Sequence, residues 1–198
     1  IGQQLEGLGS ERHGLTRKAA RFALVAGYAA PYEPPREPPR EAHIQVQHPG
    51  ELVGIDCFYV GRLRNVAHPV WQITAIDCYS SYAWADLVSC PTGQPTSTNT
   101  SRLAQRVARG LAACGWQLER VLSDNGGEFK GAFDTALDTL GVAHTRIHPG
   151  RPQTNGHVER LHKTILDECW RPSFARYLYV SYGGLKRDLD AYLDHYNY

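Results

Sequence analysis

The segment Arg120-Val-Leu-Ser-Asp-Asn-Gly-Gly-Glu-Phe129 joins a short apolar strand to an aspartate and an Asn-Gly turn. Its first four residues have the composition of a buried strand, and Asp124 follows them directly. Open α/β sheets place their sites at the carboxyl ends of strands, which is where this carboxylate lies. Aspartate after a strand is also a common turn residue, so for Asp124 taken alone a simple turn is the favoured interpretation.

Around this segment the hydrophobic pattern alternates between strand and helix periods. Upstream, three apolar segments with short links predict an antiparallel meander, followed by a helix with Leu103, Val107 and Leu111 at helical spacing. The predicted strands are residues 52–60, 70–78, 82–88, 120–123 and 142–147, and the later helices are residues 129–140, a long helix from about 156, and 185–196. This order predicts an α/β fold in which helices flank a five-stranded mixed sheet.

The first 50 residues differ in composition from the rest of the chain. The apolar pattern of residues 11–28 predicts a helix or a short helical pair. Its basic residues Arg17, Lys18 and Arg21 form a cluster that is suited to binding DNA. The five prolines within residues 31–40 disfavour helix and sheet and favour a stiff, extended linker. We therefore expect an N-terminal helical, DNA-binding region at residues 1–30, a proline-rich linker at residues 31–50 and the folded core at residues 51–198.

Composition narrows the classes of protein. Hydrophobic residues make up 42% of the 198 residues and charged residues 21%, as in ordinary globular domains. The sequence has no apolar run of about 20 residues that could span a membrane. Its five cysteines include no Cys-X-X-Cys pair, which argues against a zinc knuckle and favours a reducing, intracellular compartment. Because the sequence begins at Ile1 and contains no methionine, we expect it to be a piece of a longer protein.

Charge is distributed unevenly, although the formal net charge is only +1. Between Arg146 and Arg187 the sequence has eight lysines and arginines but three acids, which leaves the remainder slightly acidic. The ordinary interpretation is a solvated helix face. A positive stripe beside acidic residues is also what a metal-dependent nuclease requires, because cations bind phosphates and carboxylates bind metals.

Two further carboxylates need an explanation. Asp56 lies inside the apolar segment Leu52-Val-Gly-Ile-Asp-Cys-Phe-Tyr59, where an unpaired charge is costly, so either a metal or a structural salt bridge would account for it. Glu159 lies on a predicted helix, with His162 and Lys163 following on its own face. It is either a metal ligand or half of a weak surface pair with Lys163. The apolar stripe beside it consists of Val158, Leu161, Ile165 and Cys169.

Three motifs resemble those of one known superfamily. Asp124-Asn-Gly-Gly-Glu-Phe129 resembles the second-aspartate motif of retroviral integrases and bacterial insertion-sequence transposases. Arg151-Pro-Gln-Thr-Asn-Gly-His-Val-Glu-Arg-Leu-His-Lys163 resembles their glutamate motif, and Val53-Gly-Ile-Asp-Cys57 resembles their first-aspartate strand. The 34 positions between Asp124 and Glu159 are close to the characteristic gap of this superfamily.

The resemblance covers about residues 51–198 and implies an RNase H-like catalytic core, with residues 75–85 as the second strand and its hairpin. The upstream region resembles the end of a helix-turn-helix, and with no His/Cys zinc module this favours the bacterial branch. Asp56, Asp124 and Glu159 each match a motif carboxylate. The resemblance therefore implies that these three side chains are catalytic and hold two Mg²⁺ or Mn²⁺ ions.

The activity implied by the resemblance is that of a DNA transposase or integrase. It would hydrolyse DNA at the ends of a transposon to free a 3′-hydroxyl and then join that hydroxyl to target DNA. Its partners would be the transposon ends, the target and at least one further copy of the chain, with no membrane, in a bacterial cytoplasm at the nucleoid. The residues that we expect to contact DNA are Asn125, Arg151, Gln153, Asn155, Arg160 and Lys163.

Other interpretations stay open at this point. An RNase H-like metal-dependent nuclease would cut without joining, and a non-catalytic DNA-binding or assembly protein derived from a transposase would do neither, although the presence of all three acids argues against it. Zinc is disfavoured, because His157 and His162 do not share a helix face. Asp77 is expected to cap the turn at Ser80, and Glu128 is a candidate for the layer around a metal bound by Asp124.

Overall fold

A computed structural model of the chain describes residues 46–64, 66–147, 156–176 and 181–198. Its centre is a five-stranded mixed sheet in the order β3-β2-β1-β4-β5. The strands are β1 (Val53–Gly61), β2 (Val70–Asp77), β3 (Ala83–Ser89), β4 (Arg120–Ser123) and β5 (Ala143–Arg146). β1, β2 and β3 form the predicted antiparallel meander, whereas β4 runs parallel to both β1 and β5. The predicted mixed sheet is confirmed.

The α-helices of the described ranges flank this sheet. They are α1 (Ser97–Ala113), α2 (Ala132–Leu140), α3 (Gly156–Ile165), α4 (Arg171–Arg176) and α5 (Tyr182–Tyr196). The helix predicted at residues 129–140 starts later, because a 3₁₀ turn (Gly127–Phe129) comes first and Gly131 then adopts a φ of 60°. α5 starts earlier than predicted, since the Ser181 hydroxyl caps it by accepting from the Gly184 amide at 3.0 Å.

The long helix predicted from residue 156 continues past Ile165, but it is not an α-helix throughout. There α3 passes into a π-helical turn (Leu166–Trp170), and α4 continues from it. The predicted apolar stripe is nevertheless correct, since its members are all buried. Ile165 and Cys169 are four positions apart, a spacing that an α-helix also satisfies, so the apolar pattern could not reveal the wider turn.

Successive side chains of β1 project to opposite faces of the sheet. Val53 and Ile55 belong to the apolar core beneath α1 and α2, whereas Phe58 packs against the core beneath α3 and α5. Asp56 has the same parity as Phe58 and therefore projects toward α3. The two cores make the domain a sheet covered by helices on both faces, which is the predicted layer arrangement.

A buried chain of polar side chains joins the π turn to the middle of the sheet. The indole nitrogen of Trp170 donates to the side-chain carbonyl of Gln72 at 2.8 Å, and the Gln72 amide nitrogen donates to the Thr74 hydroxyl at 2.7 Å. Trp170 is 1% exposed and both partners are fully buried. Because buried polar groups are costly when unpaired, this chain sets where the end of α3 meets the sheet.

The described residues leave one expectation of the sequence untested. The N-terminal helical region and most of the proline-rich linker, at residues 1–45, lie outside the described residues. Within the described ranges, no helix combines the length and apolarity that crossing a membrane requires.

We predict that Trp170→Phe lowers the free energy of unfolding by about 1–3 kcal/mol, because it leaves the Gln72 carbonyl unpaired in the core. The matched control is Trp116→Phe, at an indole that is 42% exposed. Urea denaturation followed by circular dichroism measures both changes. Equal midpoints for the two variants would show that the Trp170 hydrogen bond does not hold the π turn in place.

A candidate carboxylate site on two parallel strands

The register of two parallel strands brings Asp56 and Asp124 together. Gly54 of β1 pairs with Leu122 of β4, and each aspartate follows two residues later on its own chain segment. Residues two apart in a strand share a face, so both carboxylates project on the same side of the sheet from neighbouring segments. The Asp124 carboxylate is held in its turn by the amide of Gly126, which donates to Oδ1 at 2.8 Å.

α3 brings Glu159 to the same side of the sheet. His162, one turn after Glu159, packs its ring against Phe58 with a centroid distance of 5.6 Å. Its Nδ1 atom lies 3.8 Å from Oδ2 of Asp56. Residues three apart share a helix face, so the same docking directs Glu159 toward the two aspartates. The three carboxylates predicted from the sequence therefore form a loose cluster on one side of the sheet, in which the charges of Asp124 and Glu159 act on Asp56.

Ionisation of the Asp56 carboxyl group is disfavoured in this cluster. Burial and, to a lesser extent, the nearby charges of Asp124, Glu128 and Glu159 together raise the pKa of Asp56 to about 6, against the opposing effect of the Cys57 amide, which donates to Oδ1 at 2.7 Å. A pKa raised by burial and like charges means that ionising Asp56 in the folded protein costs free energy. A cation bound among the carboxylates would remove that cost.

Glu128 is a fourth carboxylate of the cluster, and its side chain lies close to that of Asp124. A β-carbon placed on Gly126 would lie 2.5 Å from Oε2 of Glu128 and 3.0 Å from Oδ1 of Asp124. Both carboxylates thus lie against the same glycine, which leaves no room for a side chain. The charge of Glu128 also acts on Asp56 more strongly than that of Glu159. The sequence analysis offered Glu128 as a candidate for the layer around a metal bound by Asp124, and the structure adds the glycine that both carboxylates share.

His162 is the residue that the sequence pattern placed correctly but left without a function. It lies on the face of Glu159, and its side chain is only 11% exposed. Burial lowers its pKa to about 4, so the ring beside Asp56 is neutral near pH 7. A neutral ring does not neutralise the carboxylates, and the cluster keeps its negative charge.

The donor chemistry of the cluster fits a hard divalent cation. All of its candidate ligands are carboxylate oxygens, which Mg²⁺ and Mn²⁺ prefer, and the raised pKa of Asp56 marks uncompensated negative charge. As the side chains stand, however, no three acidic, histidine or cysteine groups in the described part of the chain are close enough to hold one ion. The fit is therefore one of chemistry and placement, with Glu159 exposed on α3.

The residues expected to contact DNA divide into three groups. Arg151, Gln153 and Asn155 lie outside the described residues. Arg160 and Lys163 are exposed on α3, and within the described ranges neither forms an ion pair, so the alternative Glu159–Lys163 surface pair is absent there. Asn125 uses its side-chain amide to donate to the Ile147 carbonyl at 2.7 Å. That bond ties the turn after Asp124 to the end of β5.

Part of the positive stripe has a purely structural explanation. Arg146 binds Asp134, Arg171 pairs with Asp167 at 2.6 Å, and Lys186 pairs with Asp190 at 3.7 Å. These cations are the solvated or locally paired charges of the ordinary interpretation.

Asp77 also has the structural role that was expected of it. Its carboxylate accepts from the amides of Ser80 at 2.7 Å and Gly50 at 2.9 Å and from the Ser80 hydroxyl. This set of donors explains how a fully buried aspartate is tolerated at the end of β2. The predicted turn cap is confirmed.

Similarity to known proteins agrees with the geometry. Residues 140–198 match the family model of the integrase core domain, a range that contains Glu159 but not the two aspartates. The retrovirus-related Pol polyprotein from transposon TNT 1-94 of Nicotiana tabacum is 40% identical over 55 residues, which are 27% of this chain and 4% of that polyprotein. The match therefore spans a small part of that relative.

Two solved structures have the same fold. A chain of the simian T-cell lymphotropic virus intasome, solved with PP2A regulatory subunit B56 gamma, aligns with a TM-score of 0.58 at 18% identity over 71% of this chain and 47% of that one. The catalytic core domain of BIV integrase aligns with a TM-score of 0.52 at 17% identity, covering 73% of this chain and 81% of that one. The expected RNase H-like fold is thus confirmed.

We predict that Asp56→Asn stabilises the metal-free protein above pH 6. Because the folded pKa of Asp56 is raised to about 6, the folded state holds this proton more tightly than the unfolded state. The free energy of unfolding therefore falls as the pH rises from about 4 to about 6. Asparagine mimics the neutral acid, so the variant should gain on the order of 2 kcal/mol at pH 7 and nothing at pH 4.

Urea denaturation in EDTA at several pH values measures this difference, and Asp138→Asn, at an exposed acid of α2, is the control. The same pH dependence of stability in the Asp56 variant and in the unmodified protein would contradict the raised pKa of Asp56.

Proposed function

We propose that this chain is an integrase or transposase catalytic core of the RNase H-like superfamily, and that it cleaves DNA at the ends of a mobile element and joins the freed 3′ ends to target DNA. The observation that supports this proposal most directly is the convergence of Asp56, Asp124 and Glu159 on one side of the sheet. Two of them are aligned by the β1–β4 register, and the third is directed there by the packing of α3.

Phosphodiester transfer requires an attacking oxygen in line with a leaving oxygen while negative charge builds on the phosphate. Asp56, Asp124 and Glu159 would hold two Mg²⁺ ions, which supply activation of the attacking oxygen and stabilisation of the leaving one. The protein contributes the placement of the carboxylates on two strands and one helix, elements that keep the ligands in fixed relation. Glu128 adds negative charge at the same place, which strengthens the attraction for a divalent cation.

The same side of the molecule also offers groups for the DNA backbone. Lys163 follows Glu159 by one turn of α3, and Arg160 is exposed on that helix. Neither is committed to an ion pair in the described ranges, so both are available for phosphates close to the carboxylates. The transposon ends, the target DNA and a second copy of the chain are the partners that this proposal requires, because two ends have to be joined together.

Joining separates this proposal from a nuclease that only cuts. A duplex with a preformed 3′-hydroxyl end is incubated with supercoiled plasmid and Mn²⁺, and joined products are resolved on a gel. Joining supports the integrase activity. Cutting of a blocked substrate without any joining would instead favour an RNase H-like nuclease, and neither product would favour a DNA-binding protein without catalysis.

We predict that Asp56→Asn, Asp124→Asn and Glu159→Gln each abolish both cleavage and joining, because each removes a charged metal ligand while keeping the side-chain size. DNA affinity should stay within about threefold, since the cations that contact phosphate remain. Asp138→Asn is the control for loss of an acid elsewhere. A variant that kept near-normal activity would remove that residue from the catalytic set.

We predict that Lys163→Ala weakens binding to DNA of any sequence and lowers the slope of log affinity against log salt by about one unit. The matched control is Lys186→Ala, which removes an equal charge from a lysine already paired with Asp190. Fluorescence anisotropy over a range of salt concentrations gives both quantities. An unchanged slope for Lys163→Ala would exclude a phosphate contact at this position.

A further inference from the structure

A buried hydrogen-bonded chain leads from α2 through β5 to the strand that carries Asp124. Nδ1 of His144 lies 2.8 Å from Oδ1 of Asp134, and its Nε2 lies 2.8 Å from the hydroxyl of Ser123. The Ser123 hydroxyl in turn donates to the carbonyl oxygen of Asp124 at 2.9 Å. Ser123 is fully buried, and the His144 side chain is 9% exposed. Nothing in the proposed chemistry uses these groups directly.

The far end of the chain is anchored by charge. Arg146 binds the same Asp134 oxygen as His144 and also donates to the Phe129 carbonyl. Burial acts to raise the pKa of Asp134, but the hydrogen bonds and positive charges of His144 and Arg146 hold it below its ordinary value. Asp134 is therefore an ionised acceptor, and the proton between it and His144 lies on Nδ1.

Ser123 links the histidine ring to Asp124. Its single hydroxyl proton is donated to the Asp124 carbonyl, and its oxygen lies 2.8 Å from Nε2 of His144. His144 therefore contacts Asp134 through one ring nitrogen and Ser123 through the other. Removing the ring would leave the Ser123 hydroxyl without its neighbour and free to turn away from the carbonyl.

Serine, histidine and aspartate are also the residue types of a nucleophilic triad, but these three cannot be one. Ser123 has no exposed surface, so a substrate cannot reach its oxygen. Its hydroxyl is directed at the main chain of the next residue instead. The chain of bonds thus ends on the peptide group of Asp124, where it can affect only the placement of that residue.

We propose that His144, oriented by Asp134 and acting through Ser123, is a positioning residue that holds the Asp124 carboxylate in its place beside Asp56. β4 ends at Ser123, so Asp124 is the first residue beyond the sheet hydrogen bonds. The Ser123 bond fixes the carbonyl of Asp124, while the Gly126 amide binds its carboxylate. Rotation of this peptide would move the Gly126 amide away from the Asp124 carboxylate, and the carboxylate would lose the donor that orients it. The consequence for catalysis rests on the proposed function, whereas the placement itself does not.

The Gly126 amide reports on the placement without any metal or DNA. Because it donates to Oδ1 of Asp124, its hydrogen exchange measures whether the carboxylate is in position. We expect Ser123→Ala and His144→Ala in the full chain to increase the exchange of this amide at least tenfold. The matched control is Ser101→Ala, which also removes a buried hydroxyl bond, from Ser101 to the Ser97 carbonyl in α1. It should leave Gly126 unchanged.

Joining kinetics give the second measurement. Misplacement of a reacting group by about 1 Å can cost up to about a hundredfold in rate, so we expect Ser123→Ala to lower kcat at least tenfold with DNA affinity within twofold. Ser123→Cys, which keeps a weak donor, should be intermediate. The double variant Ser123→Ala with His144→Ala should lose no more than Ser123→Ala alone, because both act through the same carbonyl.

The two measurements separate the possible failures. If the unmodified protein joins no DNA, the proposed function fails, and the exchange of the Gly126 amide still decides the positioning role. Unchanged Gly126 exchange in Ser123→Ala, or additive losses of kcat in the double variant, would overturn the role of His144. A loss of stability matching that of Ser101→Ala, with normal exchange at Gly126, would assign the chain of bonds to folding alone.

Discussion

Asp56 and Asp124 project side by side from parallel strands, and the constraint on the rest of the domain is the cost of ionising Asp56, which burial and the repulsion from Asp124 impose. Glu128 and Glu159 increase that repulsion, while burial removes the water that would screen it. The free energy that offsets this repulsion comes from burying the apolar cores on both faces of the sheet. These cores keep the strands in register despite the like charges. A site of this kind is destabilising when empty and gains most from a divalent cation.

Two buried polar chains hold the carboxylates from opposite sides of the sheet. On one face, Trp170 and Gln72 fix the end of the helical segment that carries Glu159. At the neighbouring strand, His144 and Ser123 fix the peptide of Asp124. Both chains consist of side chains that are mostly inaccessible to water, where a hydrogen bond of defined geometry costs most to break. Apolar packing alone would fix the positions of these elements less precisely, because the hydrophobic effect is not directional.

Much of the candidate site could be predicted from the amino-acid sequence. The resemblance to known motifs pointed to Asp56, Asp124 and Glu159, which the structure places on one side of the sheet. The helical stripe from Val158 to Cys169 predicted which side of α3 is buried, because the helix period is a local property of the chain. The π turn after Ile165 was missed, since its apolar spacing is the same as that of an α-helix.

The amino-acid sequence by itself determined the order of strands and helices, the three motif carboxylates and the uneven charge. These features follow from residue types and their spacing, which depend on the sequence alone. Only the tertiary structure decided which groups meet. The closeness of Glu128 to Asp124, the burial of His162 beside Asp56 and the bond between His144 and Ser123 join segments that are distant or separated by turns. Such contacts depend on strand register and on how helices pack over the sheet, which no local pattern encodes.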